Sequence, residues 1–146
     1  MKWIECLADL IFPRKCEICG RLLTGDERYI CEDCMEDMPL TYYWDWPENP
    51  AEKKLWVRTH LHRVIPLFFY TRESRYITLI HKIKYRGNIR LGHYMGRLLG
   101  ERIKRALPDV DYIVPVPLHP LRKWRRGYNQ AEVIARGVAE VLFGKD

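Results

Sequence analysis

Four cysteines carry the clearest chemistry in this chain. Cys16-Glu-Ile-Cys19 and Cys31-Glu-Asp-Cys34 are two Cys-x-x-Cys knuckles separated by eleven residues. Each knuckle turns two thiolates toward one point, and four sulfurs complete the closed tetrahedral shell that structural zinc prefers. The paired spacing favours one shared metal over two redox dithiols or a disulfide pair. With four protein ligands no position stays open for water, so the zinc is expected to staple the fold and not to catalyse. Gly20 follows the first knuckle where the chain must turn back, Thr24-Gly25-Asp26 reads as the turn of a hairpin, and Tyr29-Ile30 as the strand leading to the second knuckle. Cys6 is left over, and its place near an apolar helix face suits packing better than reactivity.

A second set of chemically suggestive residues lies near the other end. Val114-Pro-Val-Pro-Leu-His119 is followed by Arg122, Lys123, Arg125, Arg126 and Gly127-Tyr-Asn-Gln130. Pro115 and Pro117 stiffen a turn at the end of an apolar run, where open α/β sheets bind ligands. The cations after it offer forked donors suited to phosphate oxygens. Two other readings stand beside this one: a solvated basic loop, and a single-stranded nucleic-acid surface with Trp124 and Tyr128 as stacking platforms. His119 receives no acid or base role, and Lys84 and Arg86 reach either phosphate or solvent.

The elements that must position these residues follow from periodicity. Ile4, Leu7, Ala8 and Ile11 lie on one face of a short N-terminal helix that Pro13 ends, and Glu5 and Asp9 interrupt any signal-peptide core. Pro39 to Pro50 holds three prolines and several aromatics without a period, an irregular connection whose rings pack the metal module or face a partner. Val64 to Tyr70 reads as a strand, with Pro66 marking an edge position or the strand's beginning. Arg75 to Lys84 and Ile89 to Leu107 read as helices, the second with Leu91, Met95, Leu98, Leu99 and Ile103 on its face. Its Gly92, Gly96 and Gly100 allow close backbone packing. Tyr112 to Val116 reads as a buried parallel-type strand and the residues to about Tyr128 as a loop. Asn129 then caps a helix, with Glu132 as in a capping box and Ala131, Ile134, Ala135, Val138 and Leu142 on the buried face.

Composition divides the chain the same way. Residues 1–55 carry 7 Lys and Arg against 12 Asp and Glu, while residues 56–146 carry 18 against 7. Nucleic-acid phosphates need cations, so the acidic surroundings of the second knuckle (Glu27, Glu32, Asp33, Glu36, Asp37) favour a structural or protein-docking module over a nucleic-acid reader. No stretch is apolar for long enough to span a membrane. Cysteines spaced as metal ligands suit a reducing compartment, so cytoplasm is expected.

Taken together, the double knuckle behind Leu10-Ile-Phe-Pro13, then Lys84-Tyr-Arg-Gly87, then Val114-Pro-Val-Pro-Leu-His119 with Arg122 and Arg126-Gly-Tyr-Asn-Gln130, resemble the ComF family of bacterial competence-associated proteins. The resemblance implies an α/β fold of the type I phosphoribosyltransferase kind joined to a small N-terminal zinc ribbon. Residues 1–55 would form the N-terminal helix, ribbon and linker, and residues 56–146 the first part of the α/β domain. It further implies phosphoribosyl pyrophosphate with Mg²⁺ as ligand. The pyrophosphate loop would be drawn from Pro115, Val116, Pro117, Leu118, Arg122, Arg126 and Gly127, with Lys84. The family's acidic pair and Thr/Gly-rich ribose-phosphate turn have no counterpart before Asp146, so the expectation is a truncated or split member, inactive by itself. Its partners would be a second polypeptide completing the domain, single-stranded DNA or a competence protein.

Overall fold

The computed structural model describes residues 13–59, 61–144 and no others. The N-terminal helix expected before Pro13, and Cys6 within it, lie outside the described residues. Six helices follow in chain order: α1 (Glu32–Glu36), α2 (Pro50–Trp56), α3 (Ile77–Tyr85), α4 (Ile89–Ile103), α5 (Pro120–Arg126) and α6 (Gln130–Phe143). None of them is long and apolar enough to cross a membrane. The chain divides into two compact units, one holding the described residues up to Met38 with Tyr70–His81, the other Pro39–Phe69 and the described residues from Lys82 onward.

The long amphipathic segments form where their periodicity places them. Asn88 caps α4 by accepting from the Leu91 N–H at 3.0 Å, and Leu91, Met95 and Ile103 are buried along it. Asn129 caps α6 through the Ala131 N–H at 3.1 Å. The capping box does not close there, because the Glu132 carboxylate pairs with Arg136 one turn on at 2.6 Å. The buried face of α6 is also rotated from the expected one: Val133, Gly137, Val138 and Val141 are its buried residues, with Ile134 and Leu142 at the margin.

Glycine explains the rotation. α4 and α6 pack along their length, and at Gly96 and Gly137 the two backbones nearly touch. A methyl at Gly96 would collide with the Ile134 carbonyl oxygen, and one at Gly137 with the His93 carbonyl. The every-fourth-residue glycines of α4 are therefore the crossing surface, as their spacing predicts. Around one end of this pair, Trp44, Ile103 and Val138 form a buried cluster to which Leu40, Ile65, Leu67, Leu99, Leu107 and Ile113 are added. Trp44 thus belongs to the core of the second unit, and Tyr43 beside it is buried between the edges of Trp46 and Phe69.

Five segments depart from the sequence reading or go beyond it. Between Pro39 and Pro50 the connection leads into a helix, for Asn49 caps α2 with a full capping box to Glu52 and Pro50 at the first position. The expected loop before Tyr128 contains α5, which starts at Pro120 and stops at Gly127, a left-handed C-cap with φ 79° that a side chain would strain. The expected strands do not form ladders. Val64–Tyr70 makes one antiparallel bridge, Leu40 to Phe68, flanked by Thr41 N–H to Leu67 C=O at 3.1 Å and Phe69 N–H to Pro39 C=O at 2.8 Å. Tyr29-Ile30 and Tyr112–Val116 form no ladder either. A strand exists through its neighbours' hydrogen bonds, and no described segment pairs its backbone with Tyr112–Val116. The described residues are therefore mostly helical, without the expected parallel sheet.

Candidate metal centre and basic cavity

The first unit is built around the four thiols. An antiparallel bridge from Lys15 to Leu22 closes the first loop, with the Cys16 N–H donating to the Arg21 carbonyl at 2.7 Å and the Gly20 N–H to the Cys16 carbonyl at 3.0 Å. Gly20 sits at φ 77°, the left-handed turn its position after the knuckle demands. Cys31 begins α1 and places Cys34 on its buried side. Between the knuckles, Glu27 ties the hairpin turn to α1: its carboxylate accepts from the Thr24 N–H at 2.7 Å, the Glu32 N–H at 2.8 Å and Arg21 at 3.2 Å. Those two N–H donors, ahead of the cation, hold its pKa below the ordinary value of 4.5.

The four Sγ atoms all lie within 4.8 Å of one another, Cys19 and Cys31 at 3.6 Å, and none is disulfide-bonded. Zn–S bonds of about 2.3 Å in a tetrahedron put sulfurs about 3.8 Å apart, so the four thiols are gathered at close to the spacing that zinc requires. Burial pushes the Cys16 thiol up, but the N–H groups of Cys19, Cys31 and Ile18 outweigh it and bring it down to about 6. Burial and the neighbouring thiols push Cys34 up instead. A set of thiols that cannot all ionise alone is what a divalent cation resolves, since coordination deprotonates each sulfur.

One support was not legible in the sequence. Tyr76, just before α3, donates its hydroxyl to the Cys34 carbonyl at 3.0 Å, and Arg75 lies over the same ring while pairing with Asp37 at 2.7 Å. The second knuckle is thus clamped by residues some forty positions away (from Cys34 to Tyr76, |i−j| = 42). Periodicity assigned Tyr76 to a helix face, and only the fold supplies its partner.

The basic residues of the second unit are arranged differently. Lys84 and Tyr85 at the end of α3, Gly87 after it, and Arg122 and Arg125 on α5 line one cavity of about 310 Å³. Arg122 and Arg125, three apart, share a helix face. Among the described lining residues, Lys84, Arg122 and Arg125 are cationic. Pro115, Val116, Pro117 and Leu118 are not among them, Arg126 closes α5 and Gly127 caps it. His119 caps the other end, its Nδ1 accepting from the Leu121 N–H at 3.3 Å. Trp124 projects from α5 at 85% exposure. Tyr128 is half-buried with its hydroxyl donating to the Ile83 carbonyl, so it anchors the loop and does not stand beside Trp124 as a platform.

Paired knuckles converging on one closed thiolate shell define a double zinc ribbon, and the double zinc ribbon domain model matches residues 7–43. Over 132 residues the chain is 27% identical to DNA utilization protein YhgH of Salmonella typhi, covering 87% of this chain and 54% of that protein. YhgH of Escherichia coli K12 matches at 26% over the same shares. Competence protein F of Haemophilus influenzae is 34% identical over 71 residues, 44% of this chain and 30% of that protein. By its ribbon and this homology the chain is ComF-like. It spans about half the length of the YhgH relatives, and no solved structure matches it.

Proposed function

We propose that this ComF-like chain serves DNA uptake or use by holding a phosphorylated ligand in the cavity between the end of α3 and α5, while the zinc ribbon is structural. The observation that carries the reading is the meeting of Lys84 with Arg122 and Arg125, far apart in the sequence, around one space. Forked guanidinium donors and an ammonium group around a concave site suit phosphate oxygens. Phosphoribosyl pyrophosphate with Mg²⁺ is the ligand that the family resemblance favours, the metal arriving on the pyrophosphate. The names of the relatives support the setting in DNA use.

Calorimetric titration tests this. Phosphoribosyl pyrophosphate should bind saturably, better with Mg²⁺, and Lys84→Ala or Arg122→Ala should weaken it about tenfold each, the equivalent of one charge-assisted hydrogen bond. No binding, or binding indifferent to both substitutions, overturns the reading.

One observation favours a second reading, a single-stranded DNA surface. Trp124 stands exposed between Lys123 and Arg125, the arrangement in which a base stacks while cations meet the backbone. Binding of an oligonucleotide that needs no Mg²⁺, weakens steeply with salt and quenches Trp124 would select it.

A further inference from the structure

The stretch after Glu52 carries a charge pattern that neither the ribbon nor the cavity uses. From Lys53 to Arg72 the sequence holds no carboxylate, although the N-terminal part as a whole is acidic. Lys53, Lys54 and Arg58 are exposed, and none of them is ion-paired among the described residues. Among these cations, the last turn of α2 and the loop after it hold apolar groups in solvent. Val57 is 87% exposed, Leu61 42% and Trp56 39%. A single bare apolar side chain is ordinary on a protein surface, but several side by side among unneutralised cations mark a place of contact.

The loop is held from within. The Arg58 and Thr59 N–H groups both donate to the Leu55 carbonyl, at 2.8 and 3.1 Å, and close the end of α2. The indole N–H of Trp56 donates to the Leu61 carbonyl at 2.8 Å and ties the ring to the far end of the loop. Beneath it, the Asn49 amide donates to the Val64 carbonyl at 3.0 Å and Glu52 holds Arg63 at 2.9 Å. Its side chains are thus set before any partner arrives, so contact costs little ordering.

Cations alone suit any phosphate surface, and the apolar groups decide between surfaces. Aliphatic side chains such as Val57 and Leu61 find no partner on a nucleic-acid backbone. At a bilayer interface they enter the acyl boundary, while an indole rests at the level of the headgroups. We propose that this loop docks on an anionic lipid surface, with Lys53, Lys54 and Arg58 on the headgroup phosphates and Trp56, Val57 and Leu61 in the layer beneath. One helical turn and its loop reach only the interface, so the contact is peripheral.

Flotation of the zinc-loaded chain with phospholipid vesicles tests the proposal. The chain should rise with vesicles of phosphatidylglycerol and phosphatidylcholine in equal parts, and stay behind with phosphatidylcholine alone. Lys54→Gln should weaken binding about fivefold, the share of one cation at an anionic surface, and Val57→Gln about tenfold through lost apolar burial. Both side chains stand in solvent, so near-ultraviolet dichroism should be unchanged. Equal flotation with both vesicles, flotation with neither, or binding indifferent to both substitutions overturns the proposal. So does capture of a single-stranded oligonucleotide, without flotation, that Lys54→Gln weakens and Val57→Gln does not, which would assign the loop to nucleic acid. Phosphoribosyl pyrophosphate binding at the Lys84 cavity is measured separately, so either idea can fail without the other.

Discussion

Glu52 shows what a single residue does here. Its carboxylate, 1% exposed, accepts from Arg63 Nε at 2.9 Å, from Asn49 Nδ2 at 2.9 Å and from the Val64 N–H at 3.2 Å, and Arg63 reaches on to the Tyr43 and Trp44 carbonyls. Burial alone would raise its pKa, but the Val64 N–H and the Arg63 guanidinium outweigh burial and hold it below the ordinary 4.5. A carboxyl depressed in the folded state stabilises above its unfolded value and loses that contribution as pH falls through the folded one. Urea midpoints should therefore drop with acid below pH 4.5, and Glu52→Gln should remove much of that slope. At neutral pH the same substitution should cost about 2–3 kcal/mol, because the half-buried Arg63 loses its carboxylate and keeps only the Tyr43 and Trp44 carbonyls. None of this was legible beforehand. The sequence shows Asn49, Pro50 and Glu52 at capping-box spacing, yet Arg63 and Val64 enter only through the fold. The zinc ligands were legible because their spacing is local, and for them geometry adds only the distances.

At the scale of elements, legibility followed length. α4 and α6 repeat their apolar positions over several turns, so their existence was readable, and so was the role of the α4 glycines. The buried face of α6 was not, because Gly137, which has no side chain to bury, decides which side approaches α4. α2 and α5 are seven residues each, too short for periodicity, and only their caps announce them: Asn49 and Pro50 for one, Pro120 and Gly127 for the other. The strands misled because an apolar run states a preference for burial and says nothing about its neighbours. The glycine crossing gives a sharp expectation. Gly96→Ala improves helix propensity, which alone would stabilise α4, but its methyl meets a backbone carbonyl that cannot step aside. Thermal unfolding should show a net loss of about 3 kcal/mol, and an unchanged midpoint would refute the close approach.

Across the whole molecule, the two units have separate sources of stability. The Trp44, Ile103 and Val138 cluster includes no residue of the first unit, and the first unit is organised around the four thiols. A strong chelator at neutral pH should thus release about one zinc per chain and unfold the ribbon while the helical signal of α4 and α6 persists, and Cys16→Ser should do the same. Full retention of the ribbon without metal, read from exchange of the Cys16 and Cys31 amides, would refute a structural zinc. The charge division of the sequence is visible at this scale too: Glu27, Glu32, Asp33, Glu36 and Asp37 lie in the unit of the four thiols, while Lys84, Arg122 and Arg125 line the cavity of the other. The clamp on the second knuckle carries one more consequence. Tyr76 and Arg75 belong to the first unit but follow thirty-odd residues of the second (Pro39–Phe69) in the chain. During synthesis the four cysteines leave the ribosome well before their clamp does, so an ion captured in that interval meets a second knuckle whose Cys34 carbonyl still faces water.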